Sequence, residues 1–178
     1  MNVCIISFSS RKDGNCAEIK QFICSLYPDA RCFDFSDFTI ASCGNCKYEC
    51  FASGDQCPFI KDKEYQILDA ITNSDLTYFV VPNYCDFPCS NFFVFNERSL
   101  CYFHNSESLL NAYLNVHKKF VVVSNTNTEN FKTLFAYQTN DEPQILFLSS
   151  NKYAKRSIDG NLLTSEQAIE DLKKFVLQ

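Results

Sequence analysis

Residues 2–16, Asn2-Val3-Cys4-Ile5-Ile6-Ser7-Phe8-Ser9-Ser10-Arg11-Lys12-Asp13-Gly14-Asn15-Cys16, decide how this chain folds. Asn2 to Phe8 is short, apolar and rich in branched side chains, the pattern of a buried strand. The polar segment Ser9 to Asn15 breaks that run. Beyond it Ile19, Phe22, Ile23 and Leu26 fall at i, i+3, i+4 and i+7, an amphipathic helical stripe ended by Pro28.

The same alternation continues outward. Arg31 to Phe35 reads as a second strand, and Leu76 to Val81 as a continuous apolar third, closed by Pro82. Phe120 to Val123 and, behind Pro143, Ile145 to Leu148 are the fourth and fifth. Leu109, Leu110, Tyr113 and Leu114 predict a helix between the third and fourth strands. A last helix opens on the capping-box pattern Thr164-x-x-Gln167 and carries Ala168, Leu172 and Phe175 on one side. Five short buried strands alternating with helices predict an α/β fold, a parallel sheet wrapped on both faces. With no internal repeat, linker or low-complexity tract, residues 1–178 read as one domain.

Composition narrows the function. The chain has 178 residues, 46% hydrophobic and 21% charged, ordinary globular values that exclude a disordered chain, a collagen-like repeat and a coiled coil. The first apolar run, Val3 to Ile6, follows no basic region, so no signal peptide is expected. No stretch approaches the ~18 apolar residues of a membrane span. The expected setting is the cytoplasm. A net charge of −5 argues against nucleic acid as a partner, because neutralising phosphates requires a basic face. Eleven cysteines, an odd count without a secretion signal, argue against a disulfide framework. Glycine is scarce: only Gly14, Gly44, Gly54 and Gly160.

In open parallel sheets ligands bind beyond the carboxyl ends of the strands. At the exit of the first strand, Ser9, Ser10, Gly14, Asn15 and the helix start offer hydroxyls and backbone N–H groups to an anion, and Arg11 adds charge. The glycine spacing matches neither G-x-x-x-x-G-K-[ST] nor G-x-G-x-x-G, so the triphosphate and dinucleotide loops are both unsupported. A low-molecular-weight phosphatase would need C-x5-R-S here. Six residues separate Cys4 from Arg11, Lys12 follows the arginine, and Cys4 lies inside the strand. The remaining alternative is a polar segment that caps a helix.

Ser9-Ser10-Arg11-Lys12-Asp13-Gly14-Asn15-Cys16 resembles the S-x-R-x-x-G-N-[ST] loop of the NADPH-dependent FMN reductase family. Two further blocks resemble the same family in the same order. One is Asp75, six residues, Pro82-x-Tyr84, Ser90 and the pair Glu97-Arg98; the other is Tyr153-x-x-x-Ser157-Ile158. The resemblance implies a flavodoxin-like three-layer sandwich, five parallel strands in the order 2-1-3-4-5. It implies FMN as cofactor, NAD(P)H as reductant, and homo-oligomers with pockets built between subunits. Ser9, Arg11, Gly14, Asn15 and Cys16 would hold the monophosphate; Pro82, Asn83, Tyr84 and Cys85 would line the isoalloxazine. The segment Ser124-Asn125-Thr126 would meet the other ring edge. A proline and an aromatic give a ring a flat apolar wall. No side chain is assigned as catalytic, because the flavin carries the chemistry.

Cys43-x2-Cys46-x3-Cys50-x6-Cys57 gathers four thiols around Gly44 and Gly54. Such spacing suits a [4Fe–4S] cluster or zinc, or leaves free thiols in a loop. It is similar to the compact cysteine motif of iron–sulfur flavoproteins, a branch of the same fold, with x3 in place of x2. Cys24, on the first helix, reads as a small buried hydrophobe. His104 and His117 lack a triad partner and read as surface residues. Lys152, Lys155 and Arg156 would meet a 2′-phosphate or form an ordinary charged loop. Phe87, Phe92, Phe93 and Phe95 would be core, lid or subunit interface. The expected function is an FMN-binding oxidoreductase that passes hydride through flavin N5 to a small-molecule or protein acceptor. The alternative is a non-enzymatic electron carrier of flavodoxin or iron–sulfur flavoprotein type.

Overall fold

The computed structural model describes residues 1–52, 57–104, 106–126 and 128–178. Its elements run β1 (Val3–Ser7), α1 (Asn15–Leu26), β2 (Arg31–Asp34), α2 (Glu49–Ala52), α3 (Lys63–Thr72), β3 (Leu76–Tyr84), β4 (Phe87–Pro88), α4 (Ser90–Phe103), α5 (Glu107–Asn115), β5 (His117–Val123), α6 (Glu129–Ala136), β6 (Gln144–Leu148) and α7 (Glu166–Leu177). The strands lie in the order β2-β1-β3-β5-β6, with each neighbouring pair parallel. This is the expected 2-1-3-4-5 order; β4 is an added two-residue strand that pairs antiparallel with the end of β3.

All five residues of β1 are buried, because a strand in the middle of a wrapped sheet has no solvent face. Successive side chains then feed two separate cores. Ile5, Tyr78, Val80 and Val121 pack with Ile19 and Ile23 of α1 and with Ala168, Leu172 and Val176 of α7. On the opposite face Ile6, Phe79, Val81, Phe120 and Val122 pack with Ile67 and Ile71 of α3, Phe92 and Phe95 of α4, and Phe131 and Phe135 of α6. That second core is built on aromatic rings. Phe120 and Phe135 stack with centroids 4.1 Å apart, and Phe8 meets Phe79, Phe92 and Phe95 edge to face. Each such pair adds roughly 0.5–1.5 kcal/mol beyond the area it buries.

The structure corrects several boundaries. Pro82 does not close β3, which runs on to Tyr84. The Val80 carbonyl accepts the N–H of Phe8, and Pro82, two residues on, turns its missing donor to the same side, where β1 has ended; no ladder bond is lost. The cap of α7 is Ser165, whose hydroxyl accepts the N–H of Ala168, not Thr164, while Gln167 donates to Asp171. Helices α2, α3, α4 and α6 add to those that periodicity revealed. Phe92 and Phe95 are core, whereas Phe87 and Phe93 are exposed. Among the described residues no helix is long and apolar enough to cross a membrane.

Candidate functional site

The carboxyl ends of β1, β3 and β5 open onto two adjoining cavities. The first, about 120 Å³, is lined by residues that include Ser9, Arg11, Gly14, Asn15, Cys16, Pro82, Asn83 and Tyr84. The second, about 180 Å³, is lined by residues that include Cys85, Ser124, Asn125 and Thr126. Asn83, Val123 and Ser157 line both, so the two form one trough. The residues assigned to the monophosphate (Ser9, Arg11, Gly14, Asn15 and Cys16) and to the ring (Pro82, Asn83, Tyr84, Cys85, Ser124, Asn125 and Thr126) all line it.

At the first end, the loop after β1 is fixed from three sides. Asn91, in the first turn of α4, donates to the Phe8 carbonyl at 2.8 Å and to the Ser10 hydroxyl at 3.0 Å. The Ser9 hydroxyl accepts the N–H of Arg11. Arg11 donates to the carbonyl of Ile158 at 3.0 Å, which holds its guanidinium at the cavity wall. Gly14 precedes α1 without a side-chain cap; the Ala17 N–H donates to the Gly14 carbonyl, and those of Asn15 and Cys16 remain for a ligand's oxygens. Asn15 differs from its expected role. Its amide donates to Ser157 and accepts from Leu162, each at 2.9 Å, so the side chain ties the loop to the segment after β6 rather than facing an anion. Burial pushes the Cys16 thiol up, and it lines the cavity as a neutral group.

The second end is built by the reversal from β3 into β4. Cys85 and Asp86 both take left-handed backbone conformations, φ 53° and 68°, and Asn130 donates to the Asp86 carbonyl. Left-handed non-glycine residues are uncommon and gather at binding sites. Tyr84, 57% exposed, stands free as a wall. Asn83 donates to the hydroxyls of Ser124 and Thr126, while its Oδ1 is buried with no hydrogen-bond partner among the described residues. An orphaned buried acceptor marks a place where a ligand donor belongs. Asn125 accepts from Ser149, Ser150 and the N–H of Asn151, joining the ends of β5 and β6.

The cysteine segment is arranged differently from its expectation. Cys43, Cys50 and Cys57 are buried together, but their fourth neighbour is Cys101 of α4. Cys46 turns away, donating to the Cys43 carbonyl and accepting the N–H of Tyr48. Cys101 lies 3.5 Å from Cys50 and 4.0 Å from Cys43, sulfur to sulfur. Thiols in van der Waals contact leave no room for an iron–sulfur cubane between them. Burial pushes Cys43 and Cys101 up, the state of protonated thiols. Among the described residues no group of three or more His, Cys, Asp or Glu is placed to hold a metal. The assignment of Cys43, Cys46, Cys50 and Cys57 to an iron–sulfur cluster is therefore not supported. A Cβ on Gly44 would meet nothing within 4 Å, so no tight wrapping needs it; Gly54 lies outside the described residues.

Arg98, half of the predicted Glu97-Arg98 pair, serves this segment and not the trough. Fully buried, it donates to the carbonyl of Ala41 at 2.6 Å and to Asp62 at 2.9 Å, and packs over Phe59. It thereby clamps both ends of the cysteine loop. Lys152 is held by Asp171 at 2.6 Å and lines a separate shallow cavity with Lys174 and Phe175. Arg156 faces Asp159 at 3.9 Å. His104 packs on Phe51, with ring centroids 4.5 Å apart.

No family model and no curated protein sequence matches this chain. Solved structures do. The Trp repressor binding protein of Bacillus subtilis is 12% identical with a TM-score of 0.64, over 97% of this chain and 96% of its own. An FMN-dependent NADH-azoreductase from Bacillus anthracis, solved in complex with FMN, is 10% identical with a TM-score of 0.63, over 99% and 100%. An NADH:FMN oxidoreductase in its apo form is 12% identical with a TM-score of 0.56, over 99% and 88%. At these identities the likeness is one of fold. The flavodoxin-like architecture expected from the sequence is the architecture found.

Proposed function

We propose that this chain binds FMN along the trough and is an NAD(P)H-dependent oxidoreductase that reduces a small-molecule acceptor. The observation that carries the reading is the chemistry of the trough's two ends. Uncapped first-turn amides and Arg11 await an anion at one end, and the buried, unpartnered Oδ1 of Asn83 awaits a donor at the other. FMN offers both, a phosphate and a ring with one N–H edge.

In this reading Ser9, Arg11, Gly14, Asn15 and Cys16 form the phosphate pocket, in which Asn15 acts through its backbone and through the loop it anchors. Pro82, Asn83, Tyr84, Cys85 and Ser124 form the ring pocket. When bound, FMN supplies the two-electron chemistry, taking hydride from a nicotinamide and giving it to the acceptor. Arg11 and the helix dipole offset the phosphate charge. The amides of the Cys85–Asp86 turn, fixed by Asn130, present preorganised dipoles to the ring edge. Tyr84 and Pro82 exclude water from one ring face. The exposed rings of Tyr84 and, paired with it, Phe87 suit contact with a second copy, as the homo-oligomer implied by the sequence requires.

Titration of the purified protein with FMN, followed by quenching of flavin fluorescence, tests the reading directly. Saturable binding, then bleaching by NADH or NADPH under anaerobic conditions, is expected. Protein that takes up no flavin overturns the proposal, and protein that binds flavin but stays oxidised is an electron carrier instead.

A further inference from the structure

A second pair of thiols lies at the opposite edge of the sheet, outside the trough. Cys32 sits on the edge strand β2, in register with Ile5 of β1. Neighbouring residues of a parallel ladder share a face, so Cys32 lies on the side of the sheet that α1 covers, together with Ile5. Cys24, in the last turns of α1, is half-buried against that same core. One turn earlier Lys20 reaches down from α1 to Asp34, Nζ to Oδ2 2.7 Å. Lys20 and Cys24 share a helix face at i, i+4, and Asp34 and Cys32 share a strand face at i, i+2. The ion pair therefore fixes the helix face that carries Cys24 over the strand face that carries Cys32.

We propose that Cys24 and Cys32 are a redox-active thiol pair, which a low-molecular-weight disulfide oxidises to a Cys24–Cys32 disulfide. Cys32 is exposed and reachable from solvent, and Cys24 stands behind it. The electrostatics agree. The neighbouring Cys24 thiol and the Lys20 ammonium bring Cys32 down to about 7 against its partial burial, while Cys32 Sγ lies 3.7 Å from the carbonyl of Ala30. The same neighbour, along with burial, pushes Cys24 up. Asp34, on the same face, is already engaged with Lys20; Cys4 and Arg31, one register position away, lie on the opposite face of the sheet. A thiol that titrates near ambient pH is the best attacker in exchange chemistry.

The reaction balances in two steps. The Cys32 thiolate attacks one sulfur of the external disulfide, whose S–S bond breaks and releases one thiolate. Cys24 then attacks the Cys32 sulfur of the mixed disulfide, releasing the second external thiol, and the proton of Cys24 leaves with it. The protein dithiol loses two electrons and the external disulfide gains them. This pairing does not depend on the flavin reading.

The test treats the native full-length protein with oxidised glutathione at neutral pH, alkylates the remaining thiols and maps peptides by mass spectrometry. A peptide cross-linked between Cys24 and Cys32 is expected. Cys24→Ser should trap a glutathione adduct on Cys32, and Cys32→Ser should abolish modification at Cys24. Cys32 of the folded parent protein should react about threefold faster than in the same chain unfolded in urea. Failure of Cys24→Ser to trap the adduct overturns the proposal, as does a Cys32 no faster than its unfolded counterpart, or Cys32 linked to another cysteine. Cys24→Ala repeats the trapping experiment without a polar replacement, should the serine perturb the helix.

Discussion

Gly160 lies directly against the carbonyl of Asp13: a Cβ at position 160 would stand 2.7 Å from that oxygen. Its φ of +67° is a left-handed conformation that side chains rarely adopt. Two independent constraints thus demand glycine where the segment after β6 braces the loop after β1. Gly160→Ala should cost roughly 1–3 kcal/mol and, by pushing on Asp13 and Gly14, weaken FMN binding. Urea unfolding with a parallel FMN titration measures both effects; an alanine variant that binds FMN as the parent does would disconnect the brace from the site.

Arg11 supplies the positive charge of the proposed phosphate pocket, and its side chain is nearly half exposed. Solvent screening keeps its contribution modest. Arg11→Gln should weaken FMN about tenfold, equal to about 1.4 kcal/mol, and leave riboflavin, which has no phosphate, unaffected. Equal losses for the two ligands would remove Arg11 from the phosphate site.

Glu64 is fully buried, and neither of its carboxylate oxygens has a hydrogen-bond partner among the described residues. Burial pushes its carboxyl up to about 9, with the nearby Arg98 acting in the opposite direction. Below about pH 4.5 the group is protonated in both folded and unfolded chains and has no effect on stability. From there to pH 9 the unfolded chain releases the proton while the folded chain keeps it, so stability falls by up to about 1.4 kcal/mol per pH unit. Glu64→Gln removes that slope. Its stability advantage over the parent should grow between pH 5 and pH 8 in urea titrations, and a constant difference would refute the assignment.

Arg98 is read as the clamp of the cysteine loop. Arg98→Met leaves Asp62 without its partner and should destabilise the fold by roughly 3–5 kcal/mol. It should also expose Cys50 and Cys101 to thiol reagents and leave FMN affinity in the surviving folded protein within about twofold of the parent. A large specific loss of FMN binding would return this residue to the flavin site.

The sheet was readable because its strands are continuous apolar runs between polar turns, and strand order followed from the resemblance those turns carry. Helix α4 was not. Its buried line, Phe92, Phe95, Arg98 and Cys101, contains an arginine, and its Phe-Phe-Val-Phe run favours strand by propensity. Only tertiary packing makes it a helix. The trough residues were legible from local motifs, yet the role of Asn15 was not, because its partners Ser157 and Leu162 lie over 140 residues away. Cys101 escaped for the same reason: spacing within the Cys43–Cys57 segment cannot reveal a neighbour from another helix. Ser165 displaced Thr164 by one position, the ordinary uncertainty of a helix end.

The long reach of these braces has a further consequence for biosynthesis. Arg11 leans on Ile158, and Asn15 on Ser157 and Leu162, so the loop after β1 is completed only by residues translated 142 to 147 positions later. A nascent chain that has already docked its first strands still lacks its anion grip. Ligand capture thus waits for residues 157–162 to fold back onto the loop, and a ribosome-stalled chain ending before residue 157 should be blind to flavin.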